Sequence, residues 1–168
     1  SQNHIIPNVA ELPFDAGEVS GLEKGTVFGG ILKANSKQSK FVLSIRASDV
    51  FEIYRVSDDG INRVYVSPFK HIPKTRKKGG GHAIDYNQSI GGIKNIAVSD
   101  DLICFSLFLQ NYNEAAKTDF ASNELFCFDW DGNKVKKYVL PFPIGNFCID
   151  GTHIYGVRNF EDKIIIYR

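Results

Sequence analysis

The sequence predicts an all-β fold: a β-propeller of about three four-stranded antiparallel blades, half of a six-bladed ring. Three observations carry this expectation. Strand formers dominate, with 18 Ile, 12 Val, 13 Phe and 7 Tyr against nine Leu, nine Ala and no Met. Two Asp-Gly pairs, Asp59-Gly60 and Asp131-Gly132, each follow an alternating apolar-polar run, the mark of a β-hairpin. The same order of strands then recurs along the chain. Repeated four-stranded units of this length indicate propeller blades; a β-sandwich with Greek-key connections is the alternative, but it does not need one pattern three times.

Each unit can be justified strand by strand, lettered A to D. In the first, A is Thr26–Lys33, B is Lys40–Arg46, C begins at Phe51, and D is Asn62–Val66. The second has A at Ile93–Val98, B at Leu102–Leu109, C at Glu124–Asp129 and D at Lys134–Val139. Both D strands are expected to stop at a Pro-Phe pair, Pro68-Phe69 and Pro141-Phe142, because proline cannot continue a central strand. Type I′ turns are expected at the Asp-Gly pairs. The third unit has Gly145–Ile149, His153–Val157 and Lys163–Tyr167, and lacks a D strand. The N-terminus offers one: Leu12-Pro13-Phe14 repeats Leu140-Pro141-Phe142. The chain therefore reads as a single propeller segment over 1–168. Blades occupy 25–69, 93–142 and 144–168, and the 1–14 strand completes the last blade. Helix is expected only around Glu114–Lys117.

The 168 residues suffice for one domain with a sizeable core. A net charge of +1 argues against a general nucleic-acid binder, and no apolar run is long enough to span a membrane. The chain opens at Ser1 without Met or a signal-peptide pattern, and is read as a processed form, a tagged form or a fragment. Cys104, Cys127 and Cys148 lie in strand-like text and read as small buried hydrophobes. One disulfide between neighbouring strands stays open. A three-blade arc leaves two apolar faces in water. The expected partner is therefore a second copy completing a six-bladed ring, or the missing half of a longer chain.

The run Ile45-Arg46-Ala47-Ser48-Asp49-Val50-Phe51-Glu52-Ile53-Tyr54 resembles the corresponding strand pair of the TolB-like six-bladed β-propeller family of Bacteroides-type bacteria. Phe126–Asn133 resembles that family's Phe-Asp-Trp-Asp-Gly hairpin, and Phe147–Gly151 with Ile154–Val157 its following strands. The resemblance covers about residues 25–168. It implies a six-bladed parent and a periplasmic or cell-surface setting reached through an export or lipoprotein signal. It carries no catalytic signature.

Loops from D to A and from B to C share one face of a propeller, where such folds bind ligands. Three features fall there. The D–A insertion carries Lys70, Lys74, Arg76, Lys77 and Lys78, then Gly79–Gly81 and His82. It reads as a solvated flexible loop, or as a cationic anion-binding nest for phosphate, sulfate or an acidic glycan. Arg46 and Arg158 both close a B strand, so repeat equivalence aims them at one rim. They can grip a carboxylate or phosphate, or brace the turn through Asp49 or Asp162. The excursion 110–123 offers amides and aromatics for a sugar or peptide, or a polar loop with aromatics tucked beneath. The expected ligand-binding set is Arg46, Arg158, Lys74, Arg76, Lys77, Lys78 and His82. No catalytic or metal-ligating residue and no cofactor is expected: the His are scattered, and neither Cys-x-x-Cys nor Gly-x-Ser-x-Gly occurs. Trp130 reads as packing at a hairpin base. The function expected is a non-enzymatic ligand- or protein-binding module of the cell envelope. The alternatives are a propeller hydrolase or lyase with a central-channel site, and an anionic-polymer binder acting through the 70–82 loop.

Overall fold

The computed structural model describes residues 11–68, 71–117, 120–150, 153–160 and 163–167, with 22, 36, 158–160 and 163–167 described by backbone alone. Three antiparallel sheets carry the chain. The first runs β1 (Gly29–Asn35), β2 (Lys40–Ile45), β3 (Phe51–Ser57), β4 (Gly60–Val66) in order. A two-stranded hairpin follows, β5 (Thr75–Lys78) and β6 (Gly81–Ile84). The second sheet is β7 (Ile90–Val98), β8 (Leu102–Asn111), β9 (Ser122–Asp129), β10 (Lys134–Ile144). The third is β11 (Asn146–Asp150), β12 (His153–Phe160), β13 (Lys163–Tyr167). Each is a meander, and the innermost strands touch in turn, β1 against β7 and β7 against β11. Sheets that meet along their first strands in this way are blades of a partial propeller.

The blades are glued by alternation. On β3, Phe51 and Ile53 point at the second sheet, where Ile96, Ile103, Phe105 and Phe128 receive them. Phe51 sits at the centre, with ring centroids 4.3 Å from Phe105 and 4.9 Å from Phe128. Burying one such side chain is worth about 1.5–3 kcal/mol, so this layer dominates the association of the first two blades. The opposite face of the second sheet presents Cys104, Leu125 and Cys127 to Phe147 of the third. Polar ties reinforce the first junction. The Lys40 ammonium, almost fully buried, donates to the Trp130 carbonyl at 3.0 Å and to Asp131 at 2.7 Å. Trp130 is buried and its indole N–H donates to the Ser99 carbonyl.

Several sequence expectations change. A helix, α1 (Gly21–Phe28), occupies residues assigned to the start of strand A. Thr26 and Val27 favour a strand, but Ser20 and Glu23 form a reciprocal capping box that nucleates a helix locally. The expected helical turn is present as α2 (Tyr112–Lys117). β10 runs through Pro141 and Pro143 to Ile144 instead of stopping; it is an edge strand, and its register shifts between Val139 and Ile144. The Asp-Gly hairpins close where expected but are not type I′. Neither Asp58 nor Asp59 has positive φ, and Gly60 (127°) and Gly132 (87°) take it alone. The basic 74–84 stretch is an ordered hairpin turned at Gly79-Gly80, with Lys78 paired to Gly81.

Cys104 and Cys127, direct register partners on β8 and β9, are joined in a disulfide. Cys148 is exposed, not buried. Phe147 and Ile149 of β11 face the second blade, so Cys148 points the other way, onto the uncovered face of the third. Of the 1–14 strand, only 11–14 lies among the described residues. There Leu12 and Phe14 run without strand structure and pack on Val19, Phe28 and Ile45.

Candidate functional site

β2 ends at Ile45, and the chain turns sharply at Arg46 and Ala47. Ala47 adopts φ 54°, a left-handed conformation that a non-glycine residue rarely takes. This turn puts Arg46 at the mouth of a cleft between the first two blades, on the face of the D–A and B–C connections. Its floor is the start of β1, Gly29–Ile31, and Ser44. Gly30 is required there: a Cβ would lie 2.2 Å from the Ser44 carbonyl oxygen. The opposite wall is the middle of β7, with Ile93 and Lys94. The cleft holds about 280 Å³.

Two excursions roof it. The segment after β6 supplies Tyr86, and the B–C excursion of the second blade supplies Tyr112 and Phe120, beside Phe108 of β8. Tyr86 and Tyr112 have centroids 4.1 Å apart, Tyr112 and Phe120 4.7 Å, Phe108 and Phe120 5.2 Å. The result is one contiguous cluster of tilted and edge-to-face rings. The Lys94 ammonium sits 4.5 Å from the Phe120 ring centroid, a cation–π contact. The two excursions are clasped by amides: Asn111 donates to the Asn87 carbonyl at 2.6 Å and Asn113 to the Asn87 side chain at 2.8 Å. Phe120 also has positive φ, 54°. Two of the three non-glycine residues with positive φ among the described residues thus line this cleft, and local strain of this kind clusters at functional sites.

Arg46 is exposed, and its Nη1 donates to the Thr26 carbonyl at 3.5 Å. Among the described residues no ion pair joins it to Asp49, which instead accepts from the His71 backbone N–H at 3.1 Å and faces its ring. The side chain of Arg158 lies outside the described residues. None of Lys74, Arg76, Lys77, Lys78 and His82 lines the cleft. The hairpin docks on α1 and the segment before it: Lys77 pairs with Glu18 at 2.9 Å, and His82 meets Glu23. Lys74, Arg76, Lys77 and Lys78 are all exposed. Of the expected cations, then, Arg46 alone enters the cleft among the described residues. The sequence reading missed Tyr86 and Lys94. Repeat equivalence could have found Lys94: it opens strand A of its blade, as Gly30-Ile31 open the strand that floors the cleft.

Other cavities offer less chemistry. One of about 620 Å³ lies on the outer face of the first blade against α1 and Leu12, lined by Phe28, Leu43, Ile45 and Tyr54. Its buried carboxylate, Glu52, is committed to Arg63 and Tyr54. Among the described residues no group of three or more His, Cys, Asp or Glu could hold a metal ion, and no helix is long and apolar enough to cross a membrane.

Meander blades joined along their inner strands, with a cleft on the loop-rich face, define a β-propeller segment. The comparison with known families gives the particular one. The chain belongs to the TolB-like 6-blade propeller-like family, whose pattern matches residues 18–152. No curated protein matches the chain. No solved structure matches it either.

Proposed function

We propose that this chain is a non-enzymatic binding module of a bacterial cell-envelope propeller, periplasmic or cell-surface, with its ligand in the cleft between the first two blades. One observation carries the reading. Four separate stretches, the end of β2, the middle of β7 and the two clasped excursions, converge there with two cations and a cluster of aromatic rings. Among the described residues that line the cleft there is no carboxylate or imidazole to serve as a general base, which favours binding over hydrolysis or elimination. The test is a fragment screen followed by amide shifts of the labelled protein. Binders are expected to move Ala47, Lys94 and Tyr112; binders that settle elsewhere, or any turnover, would overturn the reading. Fractionation of the producing cell tests the setting.

The module needs a partner to cover its end faces. Leu32 and Val56 are exposed apolar side chains on the outer face of the first blade, and Cys148 is exposed on that of the third. A second copy closing a six-bladed ring, or the other half of a longer chain, would bury them. A solution mass of twice 18.8 kDa supports paired arcs, and a single 18.8 kDa species speaks against them.

A second reading rests on the hairpin. Lys74, Arg76, Lys77 and Lys78 are all exposed and could hold an acidic polymer. Retention on a heparin column that is unchanged in a Lys74, Arg76, Lys77, Lys78 to Gln quadruple variant would end it.

A further inference from the structure

We infer that the cleft takes a small carboxylate attached directly to a single ring. This rests on the cleft being the binding site proposed above, and it names the class of ligand. The charge balance comes first. Arg46 and Lys94 line the cleft, and among the described residues neither pairs with a carboxylate and no acidic residue lines it. A neutral ligand would leave both cations without a counter-charge. Arg46 spends one donor on the Thr26 carbonyl, which orients its plane. A guanidinium has five N–H donors in a fixed fork, the geometry that matches a carboxylate's two oxygens.

The spacing of charge and ring comes second. Lys94 lies against the face of Phe120, and Phe120 is continuous with Tyr112 and Tyr86. Positive charge and an aromatic wall are therefore adjacent in the site. A ligand that uses both must carry its anion beside its own flat face, on the ring or one bond from it. Inorganic phosphate would leave the aromatic surface unused. Size comes third. A volume of about 280 Å³ stands at the lower end of ligand pockets and suits one ring, not a chain of them. The amide clasp through Asn87 holds the roof in place, so little ordering is needed on binding.

The test titrates the full chain with D-glucuronate and 4-hydroxybenzoate, against glucose, phenol and inorganic phosphate, followed by amide shifts. One or both acids are expected to shift the cleft residues, and which one binds separates a sugar acid from an aromatic acid. Arg46→Gln and Lys94→Gln are each expected to weaken binding about tenfold, the loss of one charge-assisted contact. Tyr112→Leu, which keeps bulk and removes the ring face, is expected to weaken it as well, and the variants' own spectra report that they fold. Phosphate binding as tightly as the acids would overturn the inference. So would binding indifferent to Arg46 and Lys94. Shifts in the cleft from glucose or phenol alone would overturn the inference and leave the binding module standing. No shift in the cleft from any probe would overturn the inference, while the fragment screen decides the binding module.

Discussion

Glu23 reaches His82 twice: its carboxylate accepts the His82 backbone N–H at 3.1 Å and faces the ring Nδ1 at 3.3 Å. The same carboxylate closes the capping box of α1, so one side chain ties the helix to the β5–β6 hairpin. The Ser20 hydroxyl, then His82, then the Ser20 amide hold its pKa down at about 2, against an ordinary 4.5.

A lowered carboxyl pKa contributes stability that is fully present above 4.5 and is lost as pH falls through about 2. Glu23→Gln should therefore melt lower than the parent at pH 6, with the gap narrowing steadily toward pH 2. Melting curves across that range check it; a gap independent of pH would show that the charge is not involved.

The Cys104–Cys127 bond closes a loop of 23 residues, linking the two middle strands of the second blade. Opening it should cost about 3 kcal/mol, chiefly by freeing the unfolded chain. Urea unfolding of the Cys104→Ala, Cys127→Ala double variant measures this. In the folded parent, Cys148 alone should react with a thiol reagent, since it alone is free and exposed.

Glu52 is almost fully buried on the outer face of the first blade, with Arg63 at 2.7 Å and the Tyr54 hydroxyl at 2.8 Å. Burial, with the Glu52 carboxylate accepting its proton, pushes the Tyr54 phenol up. Arg63→Ala would strand the carboxylate and should cost about 2 kcal/mol, less than for a wholly enclosed pair because Arg63 is partly exposed. Replacing Glu52 with Gln in that variant should recover part of the loss. A double-mutant cycle that finds simple additivity would refute the coupling.

Gly30 and Gly25 should respond to alanine with opposite signs. At Gly30 the new methyl meets the Ser44 backbone, which cannot yield, and about 2 kcal/mol should be lost along with the cleft floor. At Gly25, inside α1, nothing lies within 4 Å of the added atom, and about 0.5–1 kcal/mol should be gained. Two unfolding curves decide it.

Much of the fold was legible locally. Alternation in Phe51–Ser57 and Ser122–Asp129, the Asp-Gly turns and the recurring strand order are properties of a few neighbouring residues, and they locate the meanders and hence the blades. Where local signals competed, the reading failed: the β-branched Thr26 and Val27 said strand, while Ser20 and Glu23, a few residues upstream, closed a helix. The basic hairpin from Lys74 to His82 read as a solvated loop because the partners of Lys77 and His82, Glu18 and Glu23, lie more than fifty residues away.

The sequence by itself determined the four-stranded pattern of the first two blades, the strand order and the turn that carries Arg46, because backbone sterics and apolar alternation act between near neighbours. Only the tertiary structure decided that Arg46 and Lys94 share a cleft with Tyr86, Tyr112 and Phe120, and that Cys104 is bonded to Cys127. Those relations arise when blades pack side by side and bring distant residues within a few ångströms, a distance that no local pattern encodes.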